Sequence, residues 1–171
     1  MKVFLIGPMG AGKSSTGKEL SRELGLSFKD TDKLVESSEN KSIREIFEIR
    51  NEEYFRQKEM EALIVASRSE NVVIATGGGI VEKKDNRDFL KREENVIFLD
   101  SSIERQFEKT KDSNKRPLLN DDNKIDILRK LYAKRKVFYE NISDLKISMD
   151  NLEKSEVIKK IINFLKYNEN N

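Results

Sequence analysis

The sequence predicts an α/β fold in which five parallel strands are covered by helices on both faces. Short apolar runs, typical of strands buried on both sides, alternate along the chain with segments of helical periodicity. Six of the eight glycines also fall into two clusters, within 7–12 and at 77–79, and each cluster lies at the end of an apolar run. Because parallel sheets bind ligands at the carboxyl ends of their strands, these clusters indicate where the site lies.

The predicted strands cover residues 3–6, 26–28, 72–75, 96–99 and 145–149. Helices are predicted at 13–24, 52–67, 86–91, 125–139 and 157–165. In 125–139 and 157–165 apolar side chains recur every three or four residues. Ser42 and Glu45 form a possible capping box, and Ser101 with Glu104 is expected to cap the helix after the fourth strand. The alternation of strands and helices favours one parallel sheet, and 171 residues are enough for a single domain.

Composition narrows the possible chemistry. The chain has 33 Lys and Arg against 31 Asp and Glu, so it lacks the one-sign excess that is typical of nucleic-acid binding. It has no cysteine and no histidine, which excludes disulfides, thiolate or imidazole zinc sites and the Ser-His-Asp triad. No apolar run approaches the roughly 18 residues needed to span a bilayer. We therefore expect a cytoplasmic protein that binds neither nucleic acid nor membranes.

Residues 7–14 read Gly-Pro-Met-Gly-Ala-Gly-Lys-Ser, which matches G-x-x-x-x-G-K-[ST] between a predicted strand and a predicted helix. Because of this P-loop, we predict a three-layer P-loop NTPase fold. We also expect ATP to be a co-substrate. Lys13 is expected to bridge the β- and γ-phosphates, and the Ser14 hydroxyl to reach Mg²⁺. A strand-turn-helix junction with chance glycines is the alternative. The residues expected at the nucleotide are Gly10, Ala11, Gly12, Lys13, Ser14 and Ser15.

Two acidic residues and three glycines follow other predicted strands. The carboxylates of Asp30 and Asp32 would face one cleft if the chain stays extended between them. One could then hold Mg²⁺ through water while the other orients or deprotonates a substrate hydroxyl; an ordinary helix N-cap is the alternative. The glycine run 77–79 costs backbone entropy on folding, which suggests that another group approaches this backbone closely. A loose surface loop is the alternative.

Three arginines are candidate ligand-binding residues. Arg56 and Arg135 lie on predicted helices, where a solvated surface charge is the alternative interpretation. Arg116 precedes Pro117, which favours an extended backbone within a polar loop. From such a loop an arginine can reach a transferred phosphoryl group.

Together these motifs resemble the shikimate kinase family, in the nucleoside-monophosphate-kinase structural group, over nearly the whole chain. The family's F-x-D-x-D, S-I-x-E-I-F, E-x-x-F-R, triple glycine, R-P-L-L and R-x-x-x-Y motifs occur in order at 28–32, 42–47, 52–56, 77–79, 116–119 and 135–139. The resemblance implies transfer of the ATP γ-phosphoryl group to the 3-hydroxyl of shikimate, a step of aromatic amino-acid (chorismate) biosynthesis. It also implies the strand order two-three-one-four-five. We expect shikimate and ATP to be the binding partners of a monomer.

The resemblance further implies a role for each candidate residue. Ser14 and Asp30 would hold Mg²⁺, and Asp32 would contact the shikimate hydroxyls as the base. Lys13 and Arg116 complete the catalytic set, with Arg116 reaching the ATP phosphates as a lid closes. An acceptor-binding insert at about 32–61 and a lid at about 109–123 would belong to one kinase domain, 1–171. The residues implied to hold the shikimate carboxylate and ring are Arg56, Gly77, Gly78, Gly79 and Arg135.

The chain departs from the family pattern mainly around the nucleotide. Lys109 stands where the family has an arginine that stacks on adenine, and a lysine stacks less well than a planar guanidinium. Ser15 stands for a frequent threonine, Asn51 for a glycine, and Lys154 aligns with a proline of the adenine pocket. Two other interpretations stay open, namely another small-molecule P-loop kinase, such as a gluconate or nucleoside-monophosphate kinase, and a non-catalytic nucleotide-binding switch.

Overall fold

In a computed structural model, which describes residues 1–111 and 123–169, the centre of the protein is a sheet of five parallel strands. The strand order is β2-β3-β1-β4-β5, so both the predicted fold class and the predicted order are confirmed. In the register of the central pair, Phe4 lies beside Ile74 and Leu5 beside Ala75. The strands are β1 (Lys2–Ile6), β2 (Ser27–Asp30), β3 (Val72–Ala75), β4 (Val96–Asp100) and β5 (Leu145–Ser148).

Helices cover both faces of this sheet because alternate strand residues point to opposite sides. Val3 and Leu5 of β1 pack in one core with helices α1 and α8, whereas Phe4 and Ile6 pack in a second core with α4, α5 and α7. None of the helices in the two described ranges is long and apolar enough to cross a membrane. The helices are α1 (Lys13–Leu24), α2 (Thr31–Glu39), α3 (Ile43–Ile49), α4 (Glu52–Ser67), α5 (Lys84–Leu90), α6 (Ile103–Thr110), α7 (Lys124–Ile142) and α8 (Lys154–Glu169).

Helix α2 is absent from the sequence-based prediction. It begins immediately after β2, with no loop between them, and Asp30 is its N-cap. The Asp30 carboxylate accepts hydrogen bonds from the backbone N–H groups of Asp32 and Lys33, so the cap interpretation of this cluster holds. The helix carries two apolar side chains, Leu34 and Val35, which is too few to produce a periodic signal.

Three helix starts show how well local patterns locate caps. The capping box of α3 is present, because Ser42 accepts from the Glu45 N–H and the Glu45 carboxylate accepts from the Ser42 N–H. The predicted cap of α6 is wrong by one residue, since Ser102 rather than the buried Ser101 accepts from the helix. Asn51 is not in a glycine-like conformation; it is extended and caps α4 by accepting from the backbone N–H of Tyr54.

Helices α2, α3 and α4 share a small core of their own. Val35, Ile46, Phe55 and Ala62 are buried there, and the Phe47 and Phe55 rings lie 4.9 Å apart. This packing joins the two helices that carry Asp32 and Arg56, since Asp32 lies on α2 and Arg56 on α4.

Candidate active site

A cavity of about 600 Å³ lies at the carboxyl ends of the central strands. This volume is within the usual range for small-molecule sites. Ala11 of the predicted set is buried beneath the surface of the cavity, and Arg116 lies outside the described residues, as does most of the predicted lid. The predicted residues that line the cavity are Gly10, Gly12, Lys13, Ser14, Ser15, Asp30, Asp32, Arg56, Gly77, Gly78, Gly79, Lys109 and Arg135.

The P-loop forms the nucleotide end of this cavity. Gly10 and Gly12 have φ angles of 78° and 89°, in the left-handed region that favours glycine. Gly12 is the N-cap of α1 and makes no side-chain cap hydrogen bond. Residues 13–15, at the start of this helix, line the cavity at the end where the helix dipole favours negative charge.

Lys13 is held within the same loop. Its ammonium group donates to the carbonyl oxygens of Gly7 and Pro8 at 2.7 and 2.8 Å, and the residue is 8% exposed. The loop therefore holds a buried cation beside the cavity, at the start of α1. A positive charge in such a place can stabilise the charge that develops on a transferring phosphoryl group.

Ser14 and Asp30 join the P-loop to the end of β2. The Ser14 hydroxyl donates to Asp30 Oδ2 at 2.5 Å, while Asp30 Oδ1 accepts from the Asp32 N–H at 3.0 Å. One carboxylate therefore caps α2 with one oxygen and faces the P-loop hydroxyl with the other. The cap and site interpretations of this aspartate are compatible because the two oxygens are used separately.

The glycine run brings three groups close to one stretch of backbone. A Cβ at Gly77 would lie 2.6 Å from Asp32 Oδ1, and a Cβ at Gly79 would overlap the Arg56 guanidinium. The Gly78 carbonyl accepts a hydrogen bond from the Tyr139 hydroxyl. Both outer glycines are buried, which excludes a loose surface loop. Glycine is required at 77 and 79 because functional side chains occupy the space of the missing Cβ.

Arg56 is a buried cation and not a solvated helix charge, since it is 5% exposed. Its Nη1 donates to Glu59 Oε2 at 2.8 Å, and its Nη2 donates to Glu52 Oε1 at 3.0 Å. Burial raises the pKa of the Glu59 carboxyl, and the neighbouring Arg56 opposes that rise. Burial would lower the pKa of Arg56, but its carboxylate partners outweigh it, so this guanidinium stays charged.

Arg135 lies on α7, which packs in the same core as α4, and is 3% exposed. Its Nε donates to Glu82 Oε1 at 2.7 Å. Tyr139 follows one helical turn later, and burial raises the pKa of its hydroxyl, which remains the proton donor to Gly78. Two buried arginines thus border the same cavity as Asp32.

Several residues of the site escaped the sequence-based prediction. Thr31 accepts from the Gly77 N–H at 3.0 Å, which ties the glycine run to α2. Glu59 follows Arg56 by three residues, a helical spacing that could have identified it. Glu82 is 53 residues from Arg135, so no local pattern connects them. Arg105 of α6 also lines the cavity beside Lys109.

Two departures from the family pattern, Lys109 and Lys154, also border the cavity. Lys109 lies over the P-loop, where its Cβ is 3.2 Å from the position of a Cβ on Gly10. Lys154 begins α8, lines the cavity and pairs with Glu19 at 3.4 Å. The P-loop and the two arginines, Arg56 and Arg135, line the same cavity, which has room for a nucleotide next to a small anionic acceptor. Fold and site together define a P-loop kinase of a small molecule.

The family model of shikimate kinase matches residues 9–166. The chain belongs to the shikimate kinase family. It is 40% identical over 163 residues to the shikimate kinase of Legionella pneumophila (strain Corby), covering 95% of this chain and 93% of that protein. The Buchnera aphidicola enzyme is 41% identical over 165 residues, 95% of both chains. The structure of the shikimate kinase from Acinetobacter baumannii in complex with shikimate has a TM-score of 0.94 at 33% identity, covering 98% and 93% of the two chains.

Proposed function

We propose that the cavity divides phosphoryl transfer between a nucleotide end, formed by the P-loop, and an acceptor end, formed by Asp32 and two arginines. The protein is an ATP-dependent kinase that acts on shikimate, in aromatic amino-acid biosynthesis. The observation that supports a nucleotide end and an acceptor end is that Lys13, Arg56 and Arg135 all line the same cavity. A coupled assay of ADP release across shikimate, gluconate and AMP tests it. We expect kcat/KM for shikimate to exceed the other two by at least about 100-fold; preferential turnover of AMP would overturn the acceptor assignment.

At the nucleotide end, Lys13 neutralises the charge on the β- and γ-phosphates while the first backbone N–H groups of α1 donate hydrogen bonds to the remaining oxygens. This requires no histidine or cysteine, because phosphoryl transfer depends chiefly on positioning and charge stabilisation. Lys109 is proposed to contact the nucleotide from α6, supported by its place over Gly10. The role of Arg116 in the lid stays a prediction.

The residues between the two ends fit a magnesium ion. A hydroxyl and a carboxylate are the hard oxygen ligands that Mg²⁺ takes, and Mg²⁺ commonly keeps several waters and phosphate oxygens besides one or two protein groups. Residues 1–111 and 123–169 contain no cluster of three or more acidic side chains that would hold a metal alone. Ser14 would ligate the ion and Asp30 would hold it through water. When bound, the ion supplies charge neutralisation between the β- and γ-phosphates.

Asp30→Asn is expected to raise the Mg²⁺ concentration required for half-maximal activity several-fold. Asparagine caps helices about as well as aspartate, so α2 should be retained while the carboxylate charge is lost. The measurement is initial rate against free Mg²⁺ at saturating ATP and shikimate. Asp85→Asn, an exposed first-turn acid of α5, is the matched control and should leave the curve unchanged. An unaltered Mg²⁺ curve in Asp30→Asn would contradict this assignment.

At the acceptor end, Asp32 is proposed to accept the proton of the attacking shikimate hydroxyl. Its carboxylate lies against the Gly77 backbone, in the first turn of α2, and borders the cavity. Arg56 and Arg135 are proposed to bind the acceptor carboxylate, since planar guanidinium groups bind carboxylates with two parallel hydrogen bonds. The amides of the glycine run complete this end of the site.

Arg56→Lys is expected to raise the KM for shikimate about tenfold or more, because a charge-assisted hydrogen bond contributes about 1.5–3 kcal/mol. A lysine keeps the charge but cannot serve Glu52, Glu59 and an acceptor carboxylate together. Lysine is preferred to alanine because removing the cation would leave Glu59 buried alone, at about 3–5 kcal/mol of stability. Arg44→Lys, on the exposed part of α3, is the control. An unchanged shikimate KM in Arg56→Lys would exclude the carboxylate clamp.

The cytoplasmic location, the monomeric state and the lid at about 109–123 stay predictions.

A further inference from the structure

We propose that Glu82 is a positioning residue of the acceptor site, which holds Arg135 by its Nε and leaves the terminal amino groups of that guanidinium for the acceptor carboxylate. This inference rests on the proposed role of Arg135. Glu82 touches no substrate in the proposal; it acts through the arginine that does.

Glu82 lies in the connection between the glycine run and α5. Its backbone N–H donates to the Gly79 carbonyl at 2.9 Å, which fixes the turn in which it stands. Its side chain is 14% exposed. Oε1 accepts from Arg135 at 2.7 Å, and Oε2 pairs with Lys134 at 2.5 Å. Both carboxylate oxygens are therefore committed to α7, and the carboxylate has little freedom to rotate.

Arg135 depends on this one carboxylate. Over residues 1–111 and 123–169, the bond from Nε to Glu82 is the one hydrogen bond of its side chain, although the side chain is 3% exposed. A guanidinium has five N–H donors, so the four on its two terminal nitrogens remain for a ligand in the cavity. Arg56 differs, because Glu52 and Glu59 both hold it. Removing Glu82 would take away the single anchor of Arg135, whereas removing either partner of Arg56 leaves the other.

Glu82 could also act in the opposite direction, by repelling an anionic acceptor. Burial would raise the pKa of the Glu82 carboxyl, but hydrogen bonds from Lys134 and Arg135 outweigh it and lower that pKa from its ordinary value, which favours the negatively charged form. Positioning and repulsion predict opposite signs. If positioning dominates, loss of Glu82 weakens shikimate binding; if repulsion dominates, loss of Glu82 strengthens it.

The test compares Glu82→Met with Glu82→Gln, which have similar size and differ in the carbonyl oxygen that can accept from Arg135 Nε. We expect Glu82→Met to raise both the KM and the Kd for shikimate about tenfold, with kcat and the KM for ATP within about twofold of the wild type. Glu82→Gln should raise the KM no more than about threefold, because the amide oxygen retains the bond. Lys134→Ala removes the exposed second partner of Glu82 and should change neither constant.

Each other outcome overturns the proposal. A lower KM in both Glu82 variants would show that repulsion dominates, and an unchanged KM in Glu82→Met would show that Arg135 needs no anchor. Equal losses in Glu82→Met and Glu82→Gln would assign the effect to charge rather than to position. Should Glu82→Met not fold, Glu82→Ala replaces it as the variant without an acceptor. The variant Arg135→Ala distinguishes failure of the Glu82 proposal from failure of the proposed role of Arg135. A normal shikimate KM in Arg135→Ala would refute the role of Arg135 itself.

Discussion

Replacing Lys13 with methionine is expected to reduce kcat by about two to four orders of magnitude, from lost stabilisation of charge in the transition state. Methionine keeps an unbranched, helix-compatible stem, so α1 should still form. The ammonium, which is held between the Gly7 and Pro8 carbonyls in the loop, is lost. The measurement is steady-state ADP release with shikimate and ATP at saturation, together with the thermal midpoint of unfolding.

Lys18→Met is the matched control for this prediction. Lys18 is exposed on the same helix, and the substitution removes the same charge without touching the cavity. It should leave kcat within about twofold of the wild type, as surface changes generally do. Turnover at the wild-type rate in Lys13→Met would refute the assignment of the P-loop to catalysis.

Asp32→Asn is expected to lower kcat by about 10²–10³-fold, the usual contribution of a positioned general base. The KM for shikimate should also rise, because the carboxylate can no longer accept from a ring hydroxyl. The KM for ATP and the Mg²⁺ dependence should stay as in the wild type, which separates this residue from Asp30. Single-turnover and steady-state measurements with varied ATP, shikimate and Mg²⁺ check all four quantities.

Two results would contradict the division of labour between the aspartates. One is an Asp32→Asn enzyme with normal shikimate kinetics and an altered Mg²⁺ requirement. The other is an equal metal defect in Asp30→Asn and Asp32→Asn. Asp85→Asn again serves as the control, since it removes an exposed first-turn carboxylate that does not line the cavity.

The sequence by itself determined the sheet, the strand order through its family resemblance, and the P-loop. The sheet and the P-loop can be predicted because each leaves a signal in consecutive residues. Buried parallel strands need continuous apolar runs, and a phosphate-binding loop needs glycines next to the start of a helix. The glycine run also indicated that another group approaches this stretch of backbone closely. By contrast, the sequence left two interpretations open for Asp30, Arg56 and Arg135. An aspartate can be an ordinary helix cap and an arginine an ordinary surface charge, so the residue type alone does not identify a site.

Only the tertiary structure decided between those interpretations. Arg56 and Arg135 are buried beside carboxylates, so they are not surface charges. One oxygen of Asp30 caps α2, and the other accepts a hydrogen bond from Ser14 of the P-loop. The pairing of Glu82 with Arg135 joins residues that are 53 positions apart in the sequence. Such contacts form only when the packed helices and strands bring distant side chains together. The periodicity of the sequence therefore does not predict them.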